Sequence, residues 1–211
     1  MLTTELMLTN DEKLLARLQS GDIAVGCRIW EPPDVSVVLG RSNQAANEVE
    51  IARCQQAQIP ILRRRGGGGT VLLAPGVLVI TLVKRVKRRY HFQEYFQQVN
   101  AVLIAALMQL GVCGLTQRGI SDICLDDRKI LGSSMYRPQD ILFYTASLMV
   151  ANDVRLLDVY LKHPSKEPAY RQGRSHQHFV TTLASAYPAL SVATLNTHLA
   201  AFLPEQFEAI E

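Results

Sequence analysis

The sequence has only four cysteines, little net charge and no long apolar run, and each shortage argues against a class of protein. The four cysteines show no Cys-x-x-Cys spacing and no nearby histidine cluster, which argues against a zinc site or a disulfide scaffold. The longest apolar run, residues 77–80, is too short to span a membrane, and the first residues lack the features of a signal peptide. We therefore expect a cytoplasmic protein with free thiols and no membrane partner.

The net charge is also small, at +3 over 211 residues, so nucleic acid is not an expected partner. The length fits one domain, residues 1–211, and a hydrophobic fraction of 48% supplies enough apolar side chains for a core. Charge is concentrated in one run, KRVKRR, which fits either a solvated face or a docking patch for an acidic partner. The five cations of this basic run are Lys84, Arg85, Lys87, Arg88 and Arg89.

Helical and strand-like patterns alternate irregularly along the chain. Apolar spacing predicts helices over residues 3–19, 46–57, 91–110, 154–161 and a final segment that contains 197–203. Runs rich in β-branched and aromatic residues predict strands over residues 24–30, 36–40, 61–65, 70–73, 77–86, 122–126, 129–137 and 142–150. This order favours an α+β fold with a mostly antiparallel sheet and flanking helices.

Residues 61–76 read ILRRRGGGGTVLLAPG, in which three arginines run into four glycines. Without side chains, such a loop lets backbone amides approach a ligand closely and form an anion-binding nest. Neighbouring arginines can add charge-assisted hydrogen bonds to a phosphate. The stretch is neither a Walker A loop, since no Gly-Lys-Ser/Thr follows, nor a dinucleotide fingerprint, since a strand follows it. It fits a site for a phosphate or an acyl phosphate, and equally a mobile surface loop.

A second informative stretch is SDICLDDRKILGSSMYR, residues 121–137. Lys129 follows a turn and begins an apolar segment, with Gly132 and Ser133 behind it. A lysine beside a phosphate-binding pocket can polarise a carbonyl and stabilise negative charge on acyl or phosphoryl oxygens. The alternative is an ordinary solvent-exposed lysine.

Together these stretches resemble the lipoate–protein ligase and octanoyltransferase family, which is related to biotin–protein ligases. Residues 63–71 resemble its RRxSGGGAV motif, and residues 126–137 resemble its Lys-x-x-Gly-Ser motif. Residues 28–44 are similar to its strand–turn–strand, and residues 163–183 to a stretch of a short bacterial branch. The resemblance covers about residues 1–185 and implies an α+β catalytic domain of the biotin/lipoate ligase type, in a short form without a C-terminal accessory domain.

The resemblance also implies roles for individual residues. Arg64 matches a nucleotide-contacting arginine, Asp122 matches the acid of an Asn-Asp pair, and Lys129 matches the lysine that contacts the lipoyl carbonyl and the adenylate. Lys129 is thus the expected catalytic residue, and no metal site is expected. The residues expected to bind the lipoyl-AMP or ATP are Arg64, Gly67, Gly68, Gly69, Thr70, Val71, Leu72, Asp122, Lys129, Gly132 and Ser133.

The implied reaction uses ATP, Mg²⁺ and lipoic or octanoic acid. The acid attacks the α-phosphate of ATP to give an acyl adenylate and pyrophosphate, and a lysine of a lipoyl-domain protein then takes the acyl group. Mg²⁺ is expected to neutralise phosphate charge in the first step. Acceptor lipoyl domains are commonly acidic, so the basic run is a candidate to steer this partner.

The sequence departs from the family pattern at several positions. Gly66 stands in place of Ser, Ser121 in place of Asn, and Leu73 and Ala74 in place of His-Asp. Three alternatives to a self-sufficient ligase therefore stay open: a requirement for a separate accessory subunit, an octanoyl or lipoyl transferase, and a non-catalytic acyl- or nucleotide-binding protein. A transferase would carry the acyl group as a Cys thioester, for which Cys124 is the candidate nucleophile, although it also fits a small apolar strand residue.

The tail motif YRQGRSHQH, residues 170–178, is the last feature of interest. It concentrates Arg171, Arg174, His176 and His178, and it fits either a segment that closes over the pocket or one that faces solvent. The two histidines have no carboxylate nearby in sequence, so a metal site is not favoured there.

Overall fold

Nine strands, eight α-helices and one 3₁₀ turn form the part of the chain that the computed structural model describes, residues 2–87 and 91–210. The helices are α1 (Thr4–Ser20), α2 (Ala45–Glu48), α3 (Ile51–Gln56), α4 (Phe92–Gln109), α5 (Arg155–Tyr160), α6 (His176–Phe179), α7 (Leu183–Ala186) and α8 (Val192–Glu208). The strands are β1 (Val25–Trp30), β2 (Ser36–Leu39), β3 (Ile61–Arg63), β4 (Val71–Leu73), β5 (Val77–Arg85), β6 (Leu115–Arg118), β7 (Asp122–Leu125), β8 (Arg128–Tyr136) and β9 (Ile141–Met149), and the 3₁₀ turn is Ala169–Arg171.

The strands form two sheets. The large sheet has six antiparallel strands in the order β1-β5-β9-β8-β7-β6. The small sheet has the order β3-β2-β4, with a parallel β2–β3 pair and an antiparallel β2–β4 pair. The predicted α+β fold with a mostly antiparallel sheet is therefore confirmed.

Strand β5 is buried along almost its whole length because both of its faces are covered. Leu78, Ile80 and Leu82 point into a core cluster that also contains residues of α4 and α8. Val77 and Val79 pack on the other face with residues of the small sheet and α1. Side chains of a strand alternate between faces, so an unbroken apolar run is what a strand covered on both sides requires.

Helix α4 confirms the prediction for residues 91–110. Gly111 follows it with φ at 81°, and the N–H of Val112 donates to the Leu107 carbonyl, which is the expected left-handed helix end. The apolar pattern also predicts that Phe92 lies on the buried face of this helix. That prediction is wrong, since Phe92 is 47% exposed. Within the described ranges, no helix combines the length and the apolar character that a membrane span requires.

Two predicted elements differ from the structure. The helix predicted over residues 46–57 is two short helices, because Val49 forms a β-bridge with Leu161 and the N–H of Glu50 donates to the Tyr160 carbonyl. These contacts to a distant segment replace helical hydrogen bonds between α2 and α3. The strand predicted over residues 61–65 ends at Arg63, where the chain turns into the glycine loop.

The basic run is not a continuous exposed patch. Lys84 is only 7% exposed, and its Nζ donates to the carbonyl oxygens of Phe207, Glu208 and Ile210 at the end of α8. Lys84 therefore donates hydrogen bonds to carbonyl groups that have no partner within the helix. Its positive charge also interacts favourably with the dipole at the helix C-terminus. The interpretation of Lys84 as part of a docking patch is wrong. Arg88 and Arg89 lie outside the described residues.

Replacing Lys84 with methionine should lower the free energy of unfolding by about 3 kcal/mol, because charged hydrogen bonds are lost and buried carbonyls are left unpaired. Urea unfolding of the purified variant measures the change. Lys87→Met is the matched control, since it removes the same charge from an exposed position. Equal stability of the two variants would contradict the role given to Lys84.

Candidate functional site

A cavity of about 960 Å³ lies between the small sheet and the face of the large sheet that looks toward it. This volume suits a small-molecule ligand. The cavity brings together most of the residues that the sequence proposes for the site: Arg64, Gly68, Gly69, Thr70, Val71, Leu72, Asp122, Lys129, Gly132 and Ser133. Gly67 and Cys124 do not line it. Segments that are far apart in sequence thus meet at one place.

Arg64 holds the glycine loop in shape. Its Nη2 donates to the carbonyl oxygens of Gly67 and Gly69, both at 2.7 Å. Its Nε donates to Ser134 Oγ at 3.2 Å, and its Nη1 donates to the Val38 carbonyl at 3.3 Å. Burial lowers the pKa of Arg64 to about 10, which still leaves the guanidinium charged at neutral pH. With all three nitrogens engaged by the chain, the direct task of Arg64 is to fix the loop, while its charge faces the cavity.

Ser134 explains the departure at Gly66. A Cβ on Gly66 would lie 2.8 Å from Ser134 Oγ, so this hydroxyl occupies the space in which a side chain at position 66 would start. Ser134 Oγ also contacts Thr145 Oγ1 at 2.8 Å. A hydroxyl is therefore present beside the loop, but it comes from β8.

Lys129 lies at the start of β8 and faces Asp122 on the neighbouring β7. Lys129 Nζ and Asp122 Oδ1 are 2.8 Å apart, and the side chains are 24% and 12% exposed. A Cβ on Gly132 would lie 2.6 Å from Lys129 Nζ, so a side chain at position 132 would displace the ammonium group from this place. The ammonium group is thus held at the cavity wall by a carboxylate, with access to a ligand.

Cys124 is fully buried between β6 and β8. Burial raises the pKa of its thiol, with a smaller opposing effect from the Tyr170 hydroxyl, which lies 3.7 Å from Sγ. A nucleophilic cysteine needs access and thiolate character. Cys124 has no solvent access, and its raised thiol pKa disfavours the thiolate. Its environment is that of an apolar strand residue.

The tail motif and the residues that follow it form part of the cavity wall. Arg171, His176 and Phe179 line it, and the backbone N–H of Thr181 donates to the carbonyl of Lys129, which ties the tail to β8. The 3₁₀ turn and α6 that carry these residues are absent from the sequence prediction. Their only sequence signal is the clustering of aromatic, arginine and histidine residues in 170–178.

His176 is oriented by Asp158 of α5. Asp158 Oδ1 lies 2.8 Å from the ring Nδ1 and also accepts from the backbone N–H of His176. Burial lowers the pKa of His176, and the hydrogen bond to Asp158 opposes this only in part. Burial would raise the pKa of Asp158, but hydrogen bonds from His176 and Gln177 outweigh it and hold that pKa below its usual range. His176 is therefore a neutral imidazole at the cavity wall at neutral pH.

Folding stability should fall as pH drops through about 6.5, the ordinary pKa of histidine in the unfolded chain. Because the folded-state pKa of His176 is depressed, the unfolded state binds more protons in this range, so acid favours unfolding. Urea unfolding at about pH 7.5 and about pH 5.5 measures the loss, which should be smaller in His176→Gln. His178→Gln, at an exposed position, is the control and should lose as much as the unmodified protein. A loss in His176→Gln as large as in the control would contradict the assignment.

The arrangement suits an anionic head group attached to an apolar chain. The glycine loop, Arg64 and Lys129 supply amides and positive charge for phosphate and acyl oxygens. An apolar wall of the cavity is formed by Val77, Val79 and Phe143. Leu73 also lines the cavity and packs in the same apolar cluster as Val77. Where the family pattern has polar His-Asp, this chain therefore has buried apolar residues.

The described part of the chain gathers no cluster of three or more His, Cys, Asp or Glu side chains that could hold a metal ion. Asp122, one of the carboxylates that line the cavity, is engaged by Lys129. Mg²⁺ that accompanies a nucleotide is commonly bound mainly through the substrate phosphates. These residues therefore do not form a dedicated protein site for Mg²⁺.

Comparison with known proteins identifies relatives of the chain. The model of the lipoyl protein ligase A/B catalytic domain matches residues 5–203. A putative lipoate-protein ligase A of Aeropyrum pernix is 27% identical over 143 residues, which cover 68% of this chain and 52% of that protein. The chain spans about half the length of the curated relatives it matches.

Solved structures share the fold. A bipartite lipoate protein ligase of Thermoplasma acidophilum, studied with its E2 lipoyl domain, superposes with a TM-score of 0.82 at 22% identity and covers 97% of this chain and 79% of that chain. A lipoate-protein ligase A crystallised with ATP gives a TM-score of 0.78 at 21% identity, with 95% and 79% covered. The expected catalytic-domain fold is thus confirmed.

Proposed function

Because the chain belongs to the lipoyl protein ligase A/B catalytic-domain family, we propose that it activates lipoate or octanoate with ATP and transfers the acyl group to a lysine of a lipoyl-domain protein. The observation that carries this proposal is the meeting of Lys129 with the Arg64-braced glycine loop in one cavity. A phosphate site and an acyl-oxygen site side by side are what an acyl adenylate requires.

In the first step the carboxylate oxygen of the acid attacks the α-phosphate of ATP. A phosphorus–oxygen bond forms to the acid, the bond to the β-phosphate oxygen breaks, and pyrophosphate leaves. The glycine-loop amides and the charge of Arg64 stabilise the phosphoryl oxygens, while the Lys129 ammonium donates to the acyl oxygen. Any Mg²⁺ would arrive on the ATP phosphates and neutralise their charge.

In the second step the neutral ε-amine of the acceptor lysine attacks the acyl carbon. The carbon–oxygen bond to AMP breaks, an amide forms, and the proton of the attacking amine is released to solvent. Negative charge develops on the carbonyl oxygen, and we propose that the Lys129 ammonium stabilises this charge. The tail segment, which lines the cavity, would help to keep water from the reactive anhydride.

Mass spectrometry of a lipoyl domain tests the proposal, after incubation with this protein, ATP and either lipoate or octanoate. We expect an acyl mass increase on one lysine that requires ATP. The comparison of the two acids shows which chain is preferred. Acylation without ATP from a carrier-bound octanoyl group would identify a transferase instead. Binding of the acid with no acylation under either condition would identify a non-catalytic binder, and both outcomes would overturn the ligase proposal.

A separate accessory subunit is part of the proposal. A similar lipoate protein ligase, that of Thermoplasma acidophilum, is bipartite. By analogy, a second polypeptide would take part in acyl transfer together with this chain.

The acceptor is proposed to be acidic and to be steered by the exposed part of the basic run. Arg85 is paired with Asp140 at 2.9 Å, and Lys87 is exposed. Arg85 is at the far end of β5 from the cavity-lining Val77, about 26 Å away at 3.3 Å per residue. The run would therefore act through the long-range field and not through contact with the acceptor lysine.

Reversing charge at Lys87 and Arg88 together should slow acyl transfer to an acidic lipoyl domain about threefold or more at low salt, because steering raises the association rate. The effect should shrink as salt is added. Initial rates across a salt series measure it, with Lys13→Glu, an exposed charge reversal on α1, as the control. Unchanged rates at low salt in the Lys87→Glu, Arg88→Glu double variant would rule out steering by this run.

A further inference from the structure

Tyr170 completes a chain of three side chains that ends at Lys129. Its hydroxyl donates to Asp122 Oδ2 at 2.7 Å, and Asp122 Oδ1 lies 2.8 Å from Lys129 Nζ. The two oxygens of one carboxylate are therefore divided between the tyrosine and the lysine. Tyr170 itself does not line the cavity, so it stands behind the carboxylate and away from any ligand.

The low exposure of Asp122 makes the tyrosine hydroxyl important. Asp122 is 8% exposed, so water cannot readily replace a missing donor at Oδ2. Burial raises the pKa of Tyr170 well above its ordinary value, and the neighbouring Asp122 adds to this. The hydroxyl is therefore protonated at neutral pH and can donate to the Asp122 carboxylate.

The ring of Tyr170 is fixed by its surroundings. It packs against the Phe179 ring, with 5.2 Å between centroids, and the Arg118 guanidinium lies over it at 5.8 Å. The same tail also reaches Lys129 through the backbone, where Val180 forms a bridge with Lys129. The tail thus holds Lys129 from two sides, by its backbone and through the Tyr170–Asp122 contact.

We propose that Tyr170 is a positioning residue that aims the Lys129 ammonium at the cavity by fixing the rotamer of Asp122. Its effect on the reaction rests on the proposed function, whereas its effect on the Lys129 amine does not. Without the hydroxyl, the Asp122 carboxylate is free to turn, and Lys129 loses its fixed partner. A small displacement of a catalytic group is enough to reduce a rate by tenfold or more.

The experiment compares Tyr170→Phe with Tyr187→Phe in the full chain. Tyr187 is a matched control, since its hydroxyl accepts from the Cys113 backbone N–H at a site outside the cavity. Brief labelling with acetic anhydride, followed by peptide mass spectrometry, measures the reactivity of Lys129 relative to Lys13. We expect Lys129 to be labelled several-fold faster in Tyr170→Phe and unchanged in Tyr187→Phe. Equal labelling of Lys129 in Tyr170→Phe and the unmodified protein would overturn the proposal.

Kinetics give the second readout. If the ligase activity is present, Tyr170→Phe should lower kcat about tenfold and change KM for ATP little, because the tyrosine does not touch the substrate. In an Asp122→Asn background the same substitution should have almost no further effect, since the tyrosine acts through that carboxylate. An unchanged kcat, or a full additive loss in that background, would also overturn the proposal. A chain with no ligase activity fails the proposed function, and the labelling result then still decides the role of Tyr170.

Discussion

Lys129→Ala should reduce acyl transfer about a hundredfold to a thousandfold, the loss that follows removal of a group that stabilises a developing oxyanion. Both steps of the proposed reaction place negative charge near the acyl oxygen, and Lys129 is the ammonium group that Asp122 holds at the cavity wall. The loss should appear mainly in kcat, since the interaction strengthens as charge develops. Single-turnover acylation of a lipoyl domain measures it.

The fold should survive the Lys129→Ala change. The side chain is 24% exposed, and its backbone hydrogen bond to Thr181 is unaffected by truncation. The circular dichroism spectrum should therefore resemble that of the unmodified protein, with a lower thermal midpoint because the largely buried Asp122 carboxylate loses its partner. Lys13→Ala, on the exposed side of α1, is the control for loss of a positive charge. Full activity of Lys129→Ala would refute the site assignment.

Arg64→Lys should raise KM for ATP about tenfold or more, although it keeps the positive charge. A lysine ammonium has its three donors on one nitrogen. It cannot replace the planar guanidinium, whose three nitrogens together reach Gly67, Gly69, Ser134 and Val38. Freed from this brace, the glycine loop would lose the conformation that presents its amides, and ordering it again would weaken nucleotide binding.

Initial rates at varied ATP measure the Arg64→Lys effect, and direct ATP binding separates affinity from chemistry. Arg53→Lys is the matched control, because Arg53 is exposed and donates only to the Val159 carbonyl among the contacts described. If Arg64→Lys binds ATP as well as Arg53→Lys does, the loop-bracing role is wrong.

Local patterns were sufficient for most of the scaffold. The continuous apolar run of β5, the amphipathic spacing of α4 and the left-handed glycine after it are properties of neighbouring residues, so the sequence predicts them. The prediction fails where a distant segment decides the outcome. Val49 interrupts a helical pattern because it pairs with Leu161, and nothing within residues 46–57 indicates that partner.

The same distinction applies to the site. The glycine loop and Lys129 have recognisable local patterns, so the sequence predicts both. The resemblance assigns Arg64 to the nucleotide, and only the structure reveals that its Nη2 is engaged by the loop and its other nitrogens by Ser134 and Val38. Tyr170 and His176 act through contacts with Asp122 and Asp158, which single-sequence patterns cannot predict.

Formation of the acyl adenylate in the absence of any acceptor tests the central claim most directly. The purified chain is incubated with radiolabelled lipoate, ATP and Mg²⁺, quenched in acid, and the products are separated by chromatography. The account predicts labelled lipoyl-AMP, with equimolar pyrophosphate, in the unmodified protein and almost none in Lys129→Ala. Label recovered as a thioester on the protein, or only as unreacted lipoate, would contradict it.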